Sequence, residues 1–429
     1  MNTPEELLYY IWRHNCFDVN RLTTTDGEIL QIVDKGVRNT HAGPDFVQGK
    51  IQIGSTLWAG SIEMHICSKD WYIHGHQDDP AYHNVILHVV WVHDGPVVHT
   101  SGSTIPCIEL KDKVNPALIL QYQELMRSDQ WVPCEAHLPQ MSDFIKESWL
   151  HRLMAERLEA RSADILKSLS QLNQDWEEVC YQKLARALGN QVNSDAMEML
   201  ARITPRAILG KHQDQLIQIE ALLFGQSGLL HLATVARDEY ITSLREEYRF
   251  LQLKYGLRPM LSSQWKFLRL RPPNFPTIRI AQFARMIFQT QHLFSKFMAA
   301  CSAQEIIHAL DIKVSQYWKD HYTFGVLSSP REKKLGKETI HHIIINTVSP
   351  LLFAYGLSVQ DEVYKDKAVK HLSELPAEKN YITNGWAALG WNAEQALHSQ
   401  ALIQLKNNYC NEKRCLHCSI GHQIIKYRP

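Results

Sequence analysis

Residues 43–93 read GPDFVQGKIQIGSTLWAGSIEMHICSKDWYIHGHQDDPAYHNVILHVVWVH, and this stretch decides the fold of the first part of the chain. Phe46, Ile51 and Ile53 mark one strand, and Gly54-Ser55 supplies a turn. A second strand begins near Trp58 and carries Glu63 and His65. Side chains two residues apart on a strand share a face, so Glu63 and His65 project together while Ile62, Met64 and Ile66 point the other way. Asp45 sits at the mouth of the first strand, within reach of that polar face if the hairpin closes. Two carboxylates beside an imidazole make a candidate divalent-metal site for hydrolysis. The segment DWYIHGHQDDPAYH reads as irregular or briefly helical, and Val85–Val92 (VILHVVWV) as a buried strand.

Pro44-Asp45, a spacer and then Glu63-Met64-His65 resembles the signature of the PD-(D/E)xK nuclease superfamily, with His65 where that superfamily has lysine. The resemblance implies a restriction-endonuclease-like domain in which Asp45 and Glu63 hold Mg²⁺ and His65 orients or deprotonates the attacking water. Histidine does not carry a lysine's permanent charge at neutral pH, so a degenerate, non-catalytic version of the same fold stays open. A second resemblance spans nearly the whole chain. RNTHAGPDF, GSIEMH, DPAYHNVILHVVW, RPPNFPTIRIAQFA, INTVSPLLFAYG and KRCLHCSIG together are similar to an uncharacterised bacterial domain-of-unknown-function family, which implies no activity.

The hairpin belongs to an acidic, histidine-rich first part. Residues 1–140 hold 9 Lys/Arg against 17 Asp/Glu, whereas the whole chain of 429 residues is neutral. Ten histidines fall there, eight of them between residues 41 and 99: His41, His65, His74, His76, His83, His88, His93 and His99. Neutral imidazoles suit zinc, and His74-Gly75-His76 with Asp78 or Asp79 is a rival ligand set for a zinc-dependent hydrolase. No HExxH motif is present.

Ahead of the hairpin, Thr3–Arg13 reads as a helix, with Thr3 as cap, Glu5 and Glu6 in the first turn, and Leu7, Leu8, Ile11 and Trp12 as its apolar stripe. Glu6 is a candidate additional acidic residue for the site. Glu28–Val33 reads as a strand, as do Gly95–His99 and Thr104–Leu110. Beyond Pro133 and Pro139 the periodicity turns helical: Ser142–Ser168, Trp176–Leu188, Ser194–Arg202, Gln213–Leu223, Arg237–Tyr255, Thr339–Tyr355 (one helix, or two meeting at Pro350) and Ala393–Leu405 capped by Asn392. The expected architecture is α+β: a mixed-sheet domain over 1–140, an α-helical domain over 141–400 and a cysteine-bearing segment over 401–429.

Within the helical part, residues 248–304 contain no acidic residue. Lys266, Arg269, Arg271 and Arg279 occur there, interleaved with Trp265, Phe267 and Phe275. Basic side chains neutralise phosphates and aromatic rings stack on unpaired bases, so DNA or RNA is the candidate partner; ordinary helix packing explains the same residues. Among nine cysteines, Cys410, Cys415 and Cys418 cluster as C-x4-C-x2-C, followed by His422. These four are candidate ligands for zinc, or the cysteines for an iron–sulfur cluster. The scattered remaining cysteines, the absence of a signal-like N-terminus and the lack of any apolar run of membrane-spanning length lead to the expectation of a cytoplasmic protein without membrane contact.

The functional expectation is a Mg²⁺-dependent nucleic-acid phosphodiesterase using Asp45, Glu63 and His65. The alternatives are a non-catalytic module binding nucleic acid or protein, and a zinc hydrolase built on the histidines.

Overall fold

The computed structural model describes residues 4–231, 238–290 and 292–427. The chain divides into two compact units, one of residues 1–147 and 405–429, the other of residues 148–404. The terminal segment, read from sequence as standing apart, is therefore part of the first unit.

The first unit opens with helix α1 (Glu5–Arg13), whose Leu7, Leu8, Tyr10, Ile11 and Trp12 are buried. The expected cap Thr3 lies outside the described residues. A six-stranded mixed sheet follows: β1 (Leu30–Asp34), β2 (Val37–Arg38), β3 (Phe46–Ile53), β4 (Thr56–Cys67), β5 (Val85–Val92) and β6 (Cys107–Glu109). Its spatial order is β1-β3-β4-β5-β6, with β2 pairing β3. β3 and β4 form the antiparallel hairpin read from sequence, with Ile51 opposite Trp58 and Phe46 opposite Ile62. The register slips between Phe46 and Gly49, where Gln48 takes a left-handed φ of 63°. Such a bulge re-aims the strand end next to a site.

β4 and β5 run parallel, with Glu63 opposite His88 and His65 opposite Val90. A parallel pair needs a crossover, here residues 68–84 with the short helix α2 (Asp70–Ile73). Trp71, Tyr82, Val85, Val97 and Ile105 form the apolar cluster that holds this crossover down. Gly60 is required where β4 passes residue 84: a Cβ there would lie 2.5 Å from the Asn84 carbonyl oxygen. Of the two late strand candidates, only Cys107–Glu109 is a strand, and Val98 and Thr104 make an isolated bridge.

Among its described residues the second unit is helical apart from a small hairpin, His321–Thr323 with Val326–Leu327, which the sequence reading missed. Helix Trp176–Leu188 has the expected bounds, and Glu239–Tyr255 matches the expected helix except that Arg237 lies outside the described residues. The last helix of the unit starts at Ala396, not at Ala393, because Gln395 is held in a bridge to Pro376; Asn392 is not its cap. Residues 337–359 form one continuous helical run. A π-turn over Ile344–Val348 precedes Pro350, which stands in the first turn of Ser349–Val359. The wider turn accommodates a residue that cannot donate an N–H, so the chain does not break there. This run of 23 residues contains an 18-residue window of mean hydropathy 1.4, long and apolar enough to cross a membrane, contrary to the expectation that no such run exists; 67% of that window is buried.

Candidate metal centre

Asp45, Glu63 and His65 come together, as the hairpin required. Glu63 Oε2 accepts the Asp45 backbone N–H at 3.0 Å, and Asp45 Oδ2 accepts the Met64 N–H at 3.1 Å. The two strands are thus cross-linked by each other's carboxylates at the bulged end. Arg38 on β2 fixes Asp45 further: its Nη1 donates to Asp45 Oδ1 at 2.8 Å and to the Asp45 carbonyl at 2.9 Å. The guanidinium lies 3.9 Å from the ring centroid of Tyr9 on α1, a cation–π contact that keeps it in place. Of the two glutamates in α1, Glu6 is exposed and faces His417, while Glu5 accepts from Tyr9 and feels the Asp45 charge. Glu5, not Glu6, is the acid of the leading helix that looks toward the site.

Three further imidazoles surround Glu63 and His65. His65 Nδ1 lies 2.8 Å from His88 Nε2, and His65 Nε2 lies 3.0 Å from His74 Nδ1. His76 Nε2 is 3.3 Å from Glu63 Oε1, and His65 Nε2 is 3.7 Å from the same oxygen. One ring nitrogen from each of His65, His74 and His76 lies within 4.8 Å of the others. The crossover sets the two loop histidines: His76 stacks on Tyr82 at 3.8 Å between centroids, with Trp71 edge-on at 5.4 Å. His65 is buried, His76 half-buried and His74 exposed, so the cluster opens to solvent on the His74 side. Asp78 and Asp79 are exposed and stand outside it; Asp79 instead caps the turn at Ala81.

Burial controls the charge states. It pushes the Glu63 carboxyl up, opposed by the hydrogen bond from His76 and reinforced by the charge of Asp45. Burial likewise raises Asp45, against the pull of Arg38. His65 is driven down to about 2 and His88 to about 3, by burial first and by neighbouring imidazoles second. Both rings are therefore neutral at physiological pH, and His65 does not replace a lysine's charge. Nor is it placed as a free base, since both of its nitrogens face other imidazoles.

That arrangement could hold a metal ion. Donor atoms bound to one tetrahedral ion at ~2.0–2.1 Å stand about 3.3 Å apart, and the 3.0, 3.3 and 3.7 Å separations around His65 Nε2 and Glu63 Oε1 bracket this value. If His65 Nε2 is a ligand, its proton sits on Nδ1 and is donated to His88 Nε2. His88 Nδ1, which has no hydrogen-bond partner in the structure, then carries the other proton. Such a partner behind a ligand fixes tautomer and ring orientation.

The remaining predicted residues separate. Lys266, Arg269 and Arg271 are exposed in the second unit. Arg279 is 4% exposed and donates to Asn274 and Gln282, so it is withdrawn from any phosphate. Trp265 is buried and donates to the Ser227 carbonyl, and Phe267 meets Phe275 edge-on, so neither is a free stacking platform. Cys410, Cys415 and Cys418 lie in the first unit, and His422 directs Nδ1 to the Tyr10 hydroxyl at 2.8 Å.

A mixed sheet carrying a carboxylate–imidazole cluster, in a chain that also has a helical unit, is the class that fold and site define. The family model described as "Protein of unknown function (DUF2851)" matches residues 5–381, and the chain belongs to that family. The KRCLHCSIG motif lies beyond the matched residues. No curated protein and no solved structure matches the chain.

Proposed function

We propose that this protein is a hydrolase dependent on a divalent transition metal, with His65, His74, His76 and Glu63 as ligands and a phosphodiester as substrate. The observation that carries the reading is the convergence of one ring nitrogen each from His65, His74 and His76, with Glu63 Oε1 beside those of His65 and His76. Mg²⁺ prefers an all-oxygen, octahedral shell, whereas imidazole-rich sites suit zinc and its neighbours, so the ion is of the zinc class. An ion held there supplies Lewis acidity and lowers the pKa of water. Asp45 and Arg38 position Glu63 through the Asp45 backbone N–H. His88 holds His65 in the ligand tautomer.

The phosphodiester substrate rests on two supports. Asp45, Glu63 and His65 meet at one end of a mixed sheet behind a leading helix, as the PD-(D/E)xK resemblance implies. Arg38 lies beside them with a partly exposed guanidinium, able to meet an anionic substrate. Nine cysteines without a disulfide suit a reducing compartment such as the cytoplasm.

The test is hydrolysis of bis(p-nitrophenyl) phosphate and of single- and double-stranded DNA and RNA by protein stripped with a chelator and reloaded. Restoration by Zn²⁺ or Mn²⁺ but not by Mg²⁺ is expected, with loss in the His74→Ala/His76→Ala double variant. Activity that returns with Mg²⁺ alone and survives both substitutions would refute the assignment. Metal binding without cleavage of any of these substrates would make the protein a binding module.

A further inference from the structure

A second group of metal-ligand side chains lies in the first unit, apart from the histidines. Cys410, Cys415 and Cys418 sit on one backbone knuckle. Lys413 N–H donates to the Cys410 carbonyl at 3.2 Å, Cys415 N–H to Lys413 at 2.8 Å, and Cys418 N–H to Cys415 at 3.3 Å. Lys413 takes a left-handed φ of 50° to close the turn. Gly421 then passes so near that a Cβ on it would lie 2.1 Å from the Cys415 carbonyl oxygen, which brings the chain back over the knuckle.

The knuckle is fastened to a segment far earlier in the chain. Lys413 Nζ donates to the Met126 carbonyl at 2.7 Å, and Lys406 Nζ stands 5.1 Å from the Trp131 ring centroid. That segment ends in Cys134, which is 6% exposed, while Cys415 and Cys418 are each 7% exposed. None of these cysteines is in a disulfide.

We propose that Cys134, Cys410, Cys415 and Cys418 form a four-thiolate site for one thiophilic metal centre, a zinc ion or an iron–sulfur cluster, that clasps the last segment of the chain to the first unit. Cys134 takes the fourth position that sequence spacing assigned to His422. The four thiols lie within range of one another's charge: besides burial, Cys418 and Cys415 oppose ionisation of Cys134, and Cys418, Cys134 and Cys415 oppose that of Cys410. Cys415 is pushed up to about 12, by burial and then by Cys418. A single buried cysteine is a small apolar side chain. Four whose charges act on one another, with Lys406 and Lys413 near enough to offset negative charge, have the donor types of a tetrathiolate centre. Because binding to such a set is coupled to folding, the metal would hold the two parts of the first unit closed.

The test uses full-length protein carrying His74→Ala and His76→Ala, which disables the histidine centre, purified anaerobically from medium containing zinc and iron. One centre per chain is expected, as zinc alone or as iron with acid-labile sulfide; elemental analysis and a sulfide assay distinguish them. Adding Cys134→Ser should remove it, whereas His422→Ala should leave it in place. Should the Cys134→Ser protein not fold, the ligand shell of the parent decides. All-sulfur coordination at ~2.3 Å for zinc, or a reduced cluster without nitrogen hyperfine coupling, supports the proposal. A nitrogen ligand to either centre, full retention of metal in Cys134→Ser, or protein containing neither zinc nor iron overturns it.

Discussion

His65 Nε2 and His74 Nδ1 stand 3.0 Å apart, one on a central strand and the other on the crossover that follows it. Two imidazoles so placed share one proton or one cation. When a proton bridges them, His74 is held to the sheet by a single hydrogen bond; when a cation does, the crossover is held by a coordination bond. The His74 end of the crossover should therefore exchange its amide hydrogens more slowly in zinc-loaded than in chelator-treated protein. Equal exchange in the two states would mean that no cation bridges the rings.

Tyr82 supports His76 by stacking at 3.8 Å, and it is not itself in the ligand set. Tyr82→Ala should lower zinc affinity by about 10–100-fold, the usual cost of losing a group that orients a ligand. Tyr82→Phe, which keeps the ring, should bind as the parent does. Competition titration against a chromophoric chelator measures both, and equal loss in the two variants would point to the hydroxyl instead of the stack.

Acid should open the first unit. His65 and His88 have folded-state values depressed to about 2 and about 3 from an ordinary 6.5, chiefly by burial. The unfolded chain thus binds more protons than the folded one between those values, and stability rises with pH across that interval. The contribution is fully present above pH 6.5 and is lost progressively as pH falls toward 3. Melting temperatures of metal-free protein between pH 7.5 and 4.5 should decline below pH 6.5. In His88→Gln that decline should be shallower, and an unchanged slope would show that His88 takes no part.

Much of this site was legible in the sequence, and the reasons are local. The two-residue period put Glu63 and His65 on one face, and the Gly54-Ser55 turn fixed the hairpin that brings Asp45 to them. His74 and His76 stood out as a pair, but their partners did not, because the crossover is irregular and no periodicity says where a loop folds back. His88 was hidden inside the apolar run of β5, where a parallel neighbour sets its register. Cys134 and Arg279 show the same limit from opposite sides. A lone cysteine gives no signal of company far along the chain, and an arginine in a basic window gives no signal that its guanidinium is buried.

The basic window makes a sharper prediction now that Arg279 is internal. Arg269→Ala with Arg271→Ala should weaken any nucleic-acid binding and lower the salt slope by about one for each phosphate that is no longer neutralised. Arg279→Ala should leave that slope alone and instead cost roughly 1–3 kcal/mol of stability, by orphaning the side chains of Asn274 and Gln282. Fluorescence anisotropy at several salt concentrations and chemical denaturation separate the two effects. A slope reduced by Arg279→Ala in folded protein would contradict its burial.

The most direct test of the account is anomalous scattering from crystals soaked in zinc, with data collected on both sides of the zinc absorption edge. A peak at ~2.0–2.2 Å from His65 Nε2, His74 Nδ1, His76 Nε2 and Glu63 Oε1 is the predicted result. A well-ordered cluster with no anomalous peak among these atoms would contradict it.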